Sequence, residues 1–287
     1  MAMECEALTL RTRDGLDLYA REWRDSEAEA NAVVCLVHGM GEHSGRYAEL
    51  ALRLTGAGYA VLAYDQRGHG RSPGTRGHTP SMEALRADAA ALIELARRRR
   101  PELPRVLYGH SMGGNVALSC ALHLQPRLHA LVLTSPWLRL AFEPPRLKLL
   151  VGRGMARIWP AFSQSTGLQA SDLVHELPDL PPKSADPLVH DRITAGMYFA
   201  LMREGLWAIS HADRLQVPLL LLHGLADPVT SERASAELAA ALGERCTYAA
   251  WPDGLHELHQ DKDKAQVMDM IVDWLDAATR RSGDGPA

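Results

Sequence analysis

The chain has 287 residues, a hydrophobic fraction of 46% and a formal net charge of −4. That is enough apolar material for a large core, in one big α/β domain or two smaller ones. The charge leaves no basic footprint and excludes nucleic acid as an expected partner.

Residues 5–10 and 16–23 alternate apolar and polar side chains around Asp14-Gly15, which predicts a hairpin at the antiparallel edge of a sheet. Residues 32–37, AVVCLV, are apolar throughout, the pattern of a strand buried on both faces of a parallel sheet. The segment 46–55 predicts a helix stopped by Gly56 and Gly58, and 59–64 the next buried strand. That strand enters a glycine-rich loop in which Asp65, Arg67 and His69 are read as bracing the turn. Thr79 and Pro80 predict the cap and first turn of a helix reaching Arg99. The basic run 97–100 is its solvated last turn, where positive charge suits the helix dipole.

Residues 106–108 read as a short strand, 114–122 as a helix and 130–134 as another buried strand. The rhythm then breaks. From 137 to 213 there is no clean βα unit, prolines recur at 144, 145, 160, 178, 181, 182 and 187, and 147–162 is apolar with basic residues interleaved. This region is expected to be a helical insertion over the sheet, with a second helical segment at 193–209. The βα rhythm resumes with a strand at 217–222, a helix at 231–242 stopped by Gly243, a strand at 246–251 and a helix at 264–278. Strands and helices alternating at this spacing imply a mostly parallel sheet covered on both faces.

Cys5, Cys35, Cys120 and Cys246 form no CxxC pair, which suggests a reducing compartment without a disulfide framework. The first residues show no basic start leading into an apolar run, so no signal peptide is expected, and no apolar stretch reaches transmembrane length. The expected location is the cytoplasm. The polar tail from 280 to 287 is expected to fray.

Gly109-His110-Ser111-Met112-Gly113 matches Gly-x-Ser-x-Gly, and it stands between a predicted strand and a predicted helix, the context the motif needs. A serine hydroxyl becomes a nucleophile when a base takes its proton and a third group holds the base. Asp227 follows the strand 217–222, and His256 follows the strand 246–251, so the chain order is Ser, Asp, His. In a parallel sheet these loops share one edge. Asp253 and His259 are the rivals. Asp227 is preferred because Asp253 is too close in sequence to His256, and His256 because it follows the loop glycine more closely. An oxyanion needs two backbone donors. The amides of Met112, after the serine, and of Met40, in the loop after the strand 32–37, are placed to supply them. His256-Glu257-Leu258-His259 is one residue short of HExxH, so no metal is expected. No GxGxxG follows a strand, and no cofactor is expected.

HGMGEHSGRY, YDQRGHGRS, GHSMGG, HGLADPVT and GLHELH occur in this order. Together they resemble the monoacylglycerol lipase and lysophospholipase-like group of α/β-hydrolases, from about residue 10 to 275. GHSMGG is shared by many α/β-hydrolases, whereas HGMGEHSGRY with GLHELH is much more specific. The resemblance implies an α/β-hydrolase fold: a mostly parallel central sheet with helices on both faces and a helical lid insertion. It implies a core of residues 1–136 and 214–287 and a cap of 137–213. It implies Ser111 as nucleophile, Asp227 as acid, His256 as base, Met40 and Met112 as oxyanion amides, and Glu42 and Arg46 on the glycerol or alcohol side. The expected substrate is a single-chain lipid ester, with peripheral membrane or micelle contact through the lid; nothing indicates an oligomeric state. The expected reaction is monoacylglycerol hydrolysis through an acyl-enzyme. A general carboxylesterase or lysophospholipase with the same triad is the alternative, and a non-catalytic ligand-binding protein the remote one.

Overall fold

The computed structural model describes residues 3–175 and 185–280. The N-terminal hairpin forms from β1 (Met3–Arg11) and β2 (Asp17–Asp25), paired antiparallel. Gly15 closes the turn at φ +87, a region open to glycine at no steric cost. β3 (Ala32–Val37) is followed by a 3-10 turn at Ser44–Tyr47 and α1 (Ala48–Gly56), where the sequence predicts one helix. Next come β4 (Tyr59–Tyr64) and α2 (Met82–Arg99).

The cap of α2 is Ser81 rather than Thr79. Ser81 is extended, at φ −167, and its hydroxyl accepts from the Ala84 amide at 3.2 Å. Thr79 instead donates to the Ser81 carbonyl at 3.0 Å, and Pro80 precedes the helix. β5 (Arg105–His110) leads into α3 (Met112–Leu124), which starts at the residue after Ser111, and then into β6 (Ala130–Thr134).

The irregular region holds α4 (Arg146–Ile158), the short strands β7 (Ser163–Ser165) and β8 (Arg192–Thr194), and α5 (Ala195–Ser210). β7 and β8 pair antiparallel into a ribbon that no sequence pattern announced, because three residues are too few to show a period. Pro178, Pro181 and Pro182, and the tail beyond residue 280, lie outside the described residues. The chain then returns to β9 (Leu219–Gly224), α6 (Glu232–Leu242), β10 (Cys246–Trp251) and α7 (Lys264–Arg280).

The sheet has eight strands in the order β1-β2-β4-β3-β5-β6-β9-β10. β2 joins β4 antiparallel, and from β4 to β10 every pairing is parallel. β3, β4, β5, β6 and β9 are buried at every position, which is why they read as continuous apolar runs. Alternate side chains serve opposite faces. Val33, Cys35 and Leu107 pack with α2, α3, α5 and α6, while Val34, Leu36 and Tyr108 pack with α1 and α7. This three-layer arrangement sends the C-terminal ends of β3, β5, β9 and β10 to one edge, where the loops of interest lie. Among the described residues no helix is long and apolar enough to cross a membrane.

Candidate active site

Ser111 occupies the sharp turn between β5 and α3 with φ +53 and ψ −118. A non-glycine residue in this region is strained by about 1–3 kcal/mol. The turn is tight enough to require its flanking glycines. A Cβ on Gly109 would sit 2.5 Å from the Gly113 carbonyl oxygen, and one on Gly113 would sit 2.1 Å from that of Val37. Backbone bonds secure the strain: Ser111 N donates to Thr134 O at 3.0 Å, and its carbonyl accepts from Asn115 N and Trp137 N. Ser111 stands at the helix N-cap, yet its side chain makes no capping bond. The hydroxyl is instead 2.8 Å from His256 Nε2.

His256 Nδ1 lies 2.8 Å from Asp227 Oδ2. The Asp227 carboxyl is buried and accepts from the amides of Val229 and Thr230 and from the Thr230 hydroxyl. His223, fully buried at the end of β9, approaches the same oxygen at 3.2 Å. Burial pushes the Asp227 carboxyl up, but the charges and hydrogen bonds of His256 and His223 outweigh it and hold the carboxyl far below the usual range. An ionised Asp227 only accepts, so His256 Nδ1 donates to it. Nε2 is then left as an acceptor for the Ser111 hydroxyl proton.

The loop after β3 lies against the serine. A Cβ on Gly39 would be 3.3 Å from Ser111 Cβ. Glu42 holds this loop from within: its Oε1 accepts from Gly39 N at 2.6 Å and from Tyr47 Oη at 2.7 Å. Met40 follows Gly39 in the loop, and Met112 opens α3, where the first amides have no partner within the helix.

Ser111, His256, Gly39, Met40 and Glu42 face a cavity of about 990 Å³, at the upper end of the range for small-molecule pockets. Trp137, Phe162, Tyr198 and Phe199 build much of its apolar wall, and α4 contributes Leu147, Val151 and Met155. The segment 147–162 carries the pattern of a lid element, whereas nothing in the sequence marks Trp137, Tyr198 and Phe199 as cavity residues, because that part of the wall is assembled from distant segments. Among the described residues no cluster of His, Cys, Asp and Glu is arranged to hold a metal ion.

The profile of the serine aminopeptidase S33 family of hydrolases matches residues 28–263. A monoacylglycerol lipase from Mycolicibacterium smegmatis is 30% identical over 253 residues, covering 87% of this chain and 89% of that protein. The chain belongs to this hydrolase family. It is a monoacylglycerol lipase-like α/β-hydrolase, a serine hydrolase. The crystal structure of a monoacylglycerol lipase from Paleococcus ferrophilus superposes with a TM-score of 0.79 at 33% identity, over 91% of this chain and 99% of that one. An uncharacterized abhydrolase domain-containing protein from Dictyostelium discoideum is 30% identical over 95% of this chain, which spans 29% of that relative's length.

Within this α/β-hydrolase the other candidate residues take distinct places. Asp253 is on the surface, 3.4 Å from Lys262 Nζ. His259 is buried, stacked on Tyr47 with ring centroids 4.6 Å apart. Glu42 lines the cavity, whereas Arg46 is not among its lining residues. The Arg46 guanidinium turns to Gln260 at 2.9 Å and to Glu257 at 3.5 Å, and lies 3.6 Å from Glu42. Asp65 accepts from the amides of Ser44 and Arg71, and Arg67 pairs with Asp14 and Asp88, so both brace the turn beside the site. His223 is the residue that sequence reasoning left among unremarkable histidines; its place at the end of the strand before Asp227 was the available signal.

Proposed function

We propose that the chain hydrolyses monoacylglycerol to glycerol and free fatty acid, with Ser111 as nucleophile, His256 as base and Asp227 as its orienting acid. Ser111 Oγ attacks the ester carbonyl while His256 Nε2 takes its proton. The oxyanion is held by the amides of Met40 and Met112. His256 returns the proton to the departing glycerol oxygen, leaving an acyl-serine. Water, deprotonated by the same imidazole, then releases the fatty acid and restores Ser111. Asp227 keeps the imidazole in the working tautomer and stabilises its charged form.

One observation carries this reading: two 2.8 Å hydrogen bonds link Ser111, His256 and Asp227 at the wall of a large, mostly apolar cavity. The relatives named monoacylglycerol lipase support the substrate class. The described residues between 137 and 213 form the cap over the site in this reading, and α4 is its lipid-facing element. Leu150 and Ile158 on that helix are 68% and 85% exposed, next to basic residues suited to a lipid surface. The working place is cytoplasmic and peripheral to membranes, which the four free cysteines support.

The test is hydrolysis of monooleoylglycerol and of a short p-nitrophenyl ester by the wild type and by Ser111→Ala. The variant is expected to unfold like the wild type and to lose about 10³–10⁶-fold in turnover on both, with the wild type favouring the lipid. A strong preference for the short ester would replace the lipase reading with that of a general carboxylesterase.

A further inference from the structure

One wall of the cavity is acidic. Among its charged lining residues Glu42, Asp186, Asp191 and Glu257 are carboxylates, while Lys148 on α4 is the sole lysine or arginine described there. Arg46 partly offsets two of the four, since it approaches both Glu42 and Glu257. Asp186 also feels the Arg46 charge through space, but its hydrogen bonds are made elsewhere.

The Asp186 carboxylate is held in place. Its Oδ2 is 2.8 Å from His43 Nε2, and its Oδ1 accepts from the Leu188 amide at 2.9 Å. His43 Nδ1 accepts from Gly45 N, so the ring proton is on Nε2 and is donated to Asp186. A neutral ring satisfies both bonds, so the carboxylate is not bonded to a cation, and the Arg46 guanidinium acts on it only through space. His190 is arranged likewise: Nδ1 accepts from Arg192 N, and Nε2 donates to Gly68 O. Partial burial pushes the Asp186 carboxyl up, but the bonds from His43 and Leu188, together with the nearby Arg46 charge, outweigh it and hold it below its ordinary value.

The same segment is fastened to the loop that carries Met40. His190 N donates to Gly41 O at 2.8 Å, and a Cβ on Gly41 would fall 2.2 Å from the His190 carbonyl oxygen. His43 belongs to that loop as well. Asp186 is therefore fixed beside the oxyanion loop, while the apolar wall comes from Trp137, α4 and α5.

We propose that Asp186 is a specificity-determining residue, whose fixed carboxylate admits uncharged, hydroxyl-bearing alcohols on the leaving side of the ester and turns away phosphate-bearing ones. The proposal rests on the monoacylglycerol reading above. A carboxylate accepts a hydrogen bond from an alcohol hydroxyl at no charge penalty. A phosphate monoester carries about −1.5 to −2 charges near neutral pH, and like charges a few ångströms apart in a partly buried cleft oppose binding on the order of 10²-fold.

The experiment compares kcat/KM for monooleoylglycerol, its phosphate monoester and the dimethyl ester of that phosphate, which keeps the bulk and removes the charge. The wild type is expected to cleave the phosphate at about one-hundredth of the monooleoylglycerol rate or less, and the dimethyl ester within about tenfold of it. Asp186→Asn is expected to narrow the ratio between the neutral and charged substrates by about tenfold, whereas Asp186→Glu keeps it. A residue that only pins the cap would lower all rates together and leave the ratio unmoved, which overturns the proposal. Equal rejection of the dimethyl ester would make bulk the cause and overturn it too. Cleavage of the short p-nitrophenyl ester but of no oleoyl ester would remove the monoacylglycerol reading and this proposal with it; cleavage of monooleoylglycerol and its phosphate alike would remove only the proposal.

Discussion

At Ser111 the backbone does part of the chemistry. The φ of +53 lifts the hydroxyl away from the capping role that a serine at a helix start would otherwise take and leaves it to His256. Asp227 and Asp253 both stand in loops that follow strands at the same sheet edge, yet their surroundings differ. One is buried with every oxygen engaged; the other is at the surface beside a lysine. Asp227→Asn is expected to lower kcat by about 10⁴-fold, because an amide lets the imidazole settle in the wrong tautomer. Asp253→Asn is expected to leave kcat alone and to change stability by no more than about 0.5 kcal/mol. Steady-state kinetics and urea unfolding of the two variants check this, and the opposite ranking would reassign the acid. Sequence order was sufficient to prefer Asp227. Nothing in the sequence separated Glu42 from Arg46, because whether a side chain faces the cavity or turns to Gln260 depends on packing between loops more than 200 residues apart.

Among the elements, α4 stands apart in lending side chains to the cavity wall while burying none of them fully. It is strongly amphipathic, with no buried residue, and it meets α5 where Phe199 approaches Gly152. Its exposed leucine and isoleucine are therefore free to serve the proposed lipid contact. Replacing Leu150 and Ile158 together by serine is expected to leave the melting temperature and the rate on a soluble ester nearly unchanged, since neither side chain lines the cavity. The rate on monooleoylglycerol in vesicles is expected to fall about tenfold or more, as each side chain loses part of the roughly 1.5–3 kcal/mol of its burial. An equal fall on both substrates would count against the lipid contact. The neighbouring ribbon of β7 and β8 had no such signature. Its pairing depends on two segments nearly 30 residues apart meeting over the core.

For the whole molecule, the buried rings of His38 and His69 make stability depend on pH. Desolvation pushes both below the ordinary histidine value, and neighbouring histidine rings push His69 further down. The folded state thus binds fewer protons than the unfolded chain once the pH drops below about 6.5. Stability contributed by these rings is present above that value and is lost as pH falls, by up to about 1.4 kcal/mol per pH unit for each. The urea midpoint is expected to drop between pH 7 and pH 5.5 with an unchanged slope. An unchanged midpoint would mean that both rings take up protons without unfolding.

The sequence alone determined the order of the core elements and the Ser, Asp, His succession, because buried parallel strands are continuous apolar runs and loops after them fall on one edge. It also located the turn that carries Ser111, since the flanking glycines are the residues that such close backbone approach demands. Tertiary structure alone decided the cavity, the acidic wall around Asp186 and the cap of α2 at Ser81. Each of these depends on where a side chain points once distant segments have packed, and a one-dimensional period has no record of that direction.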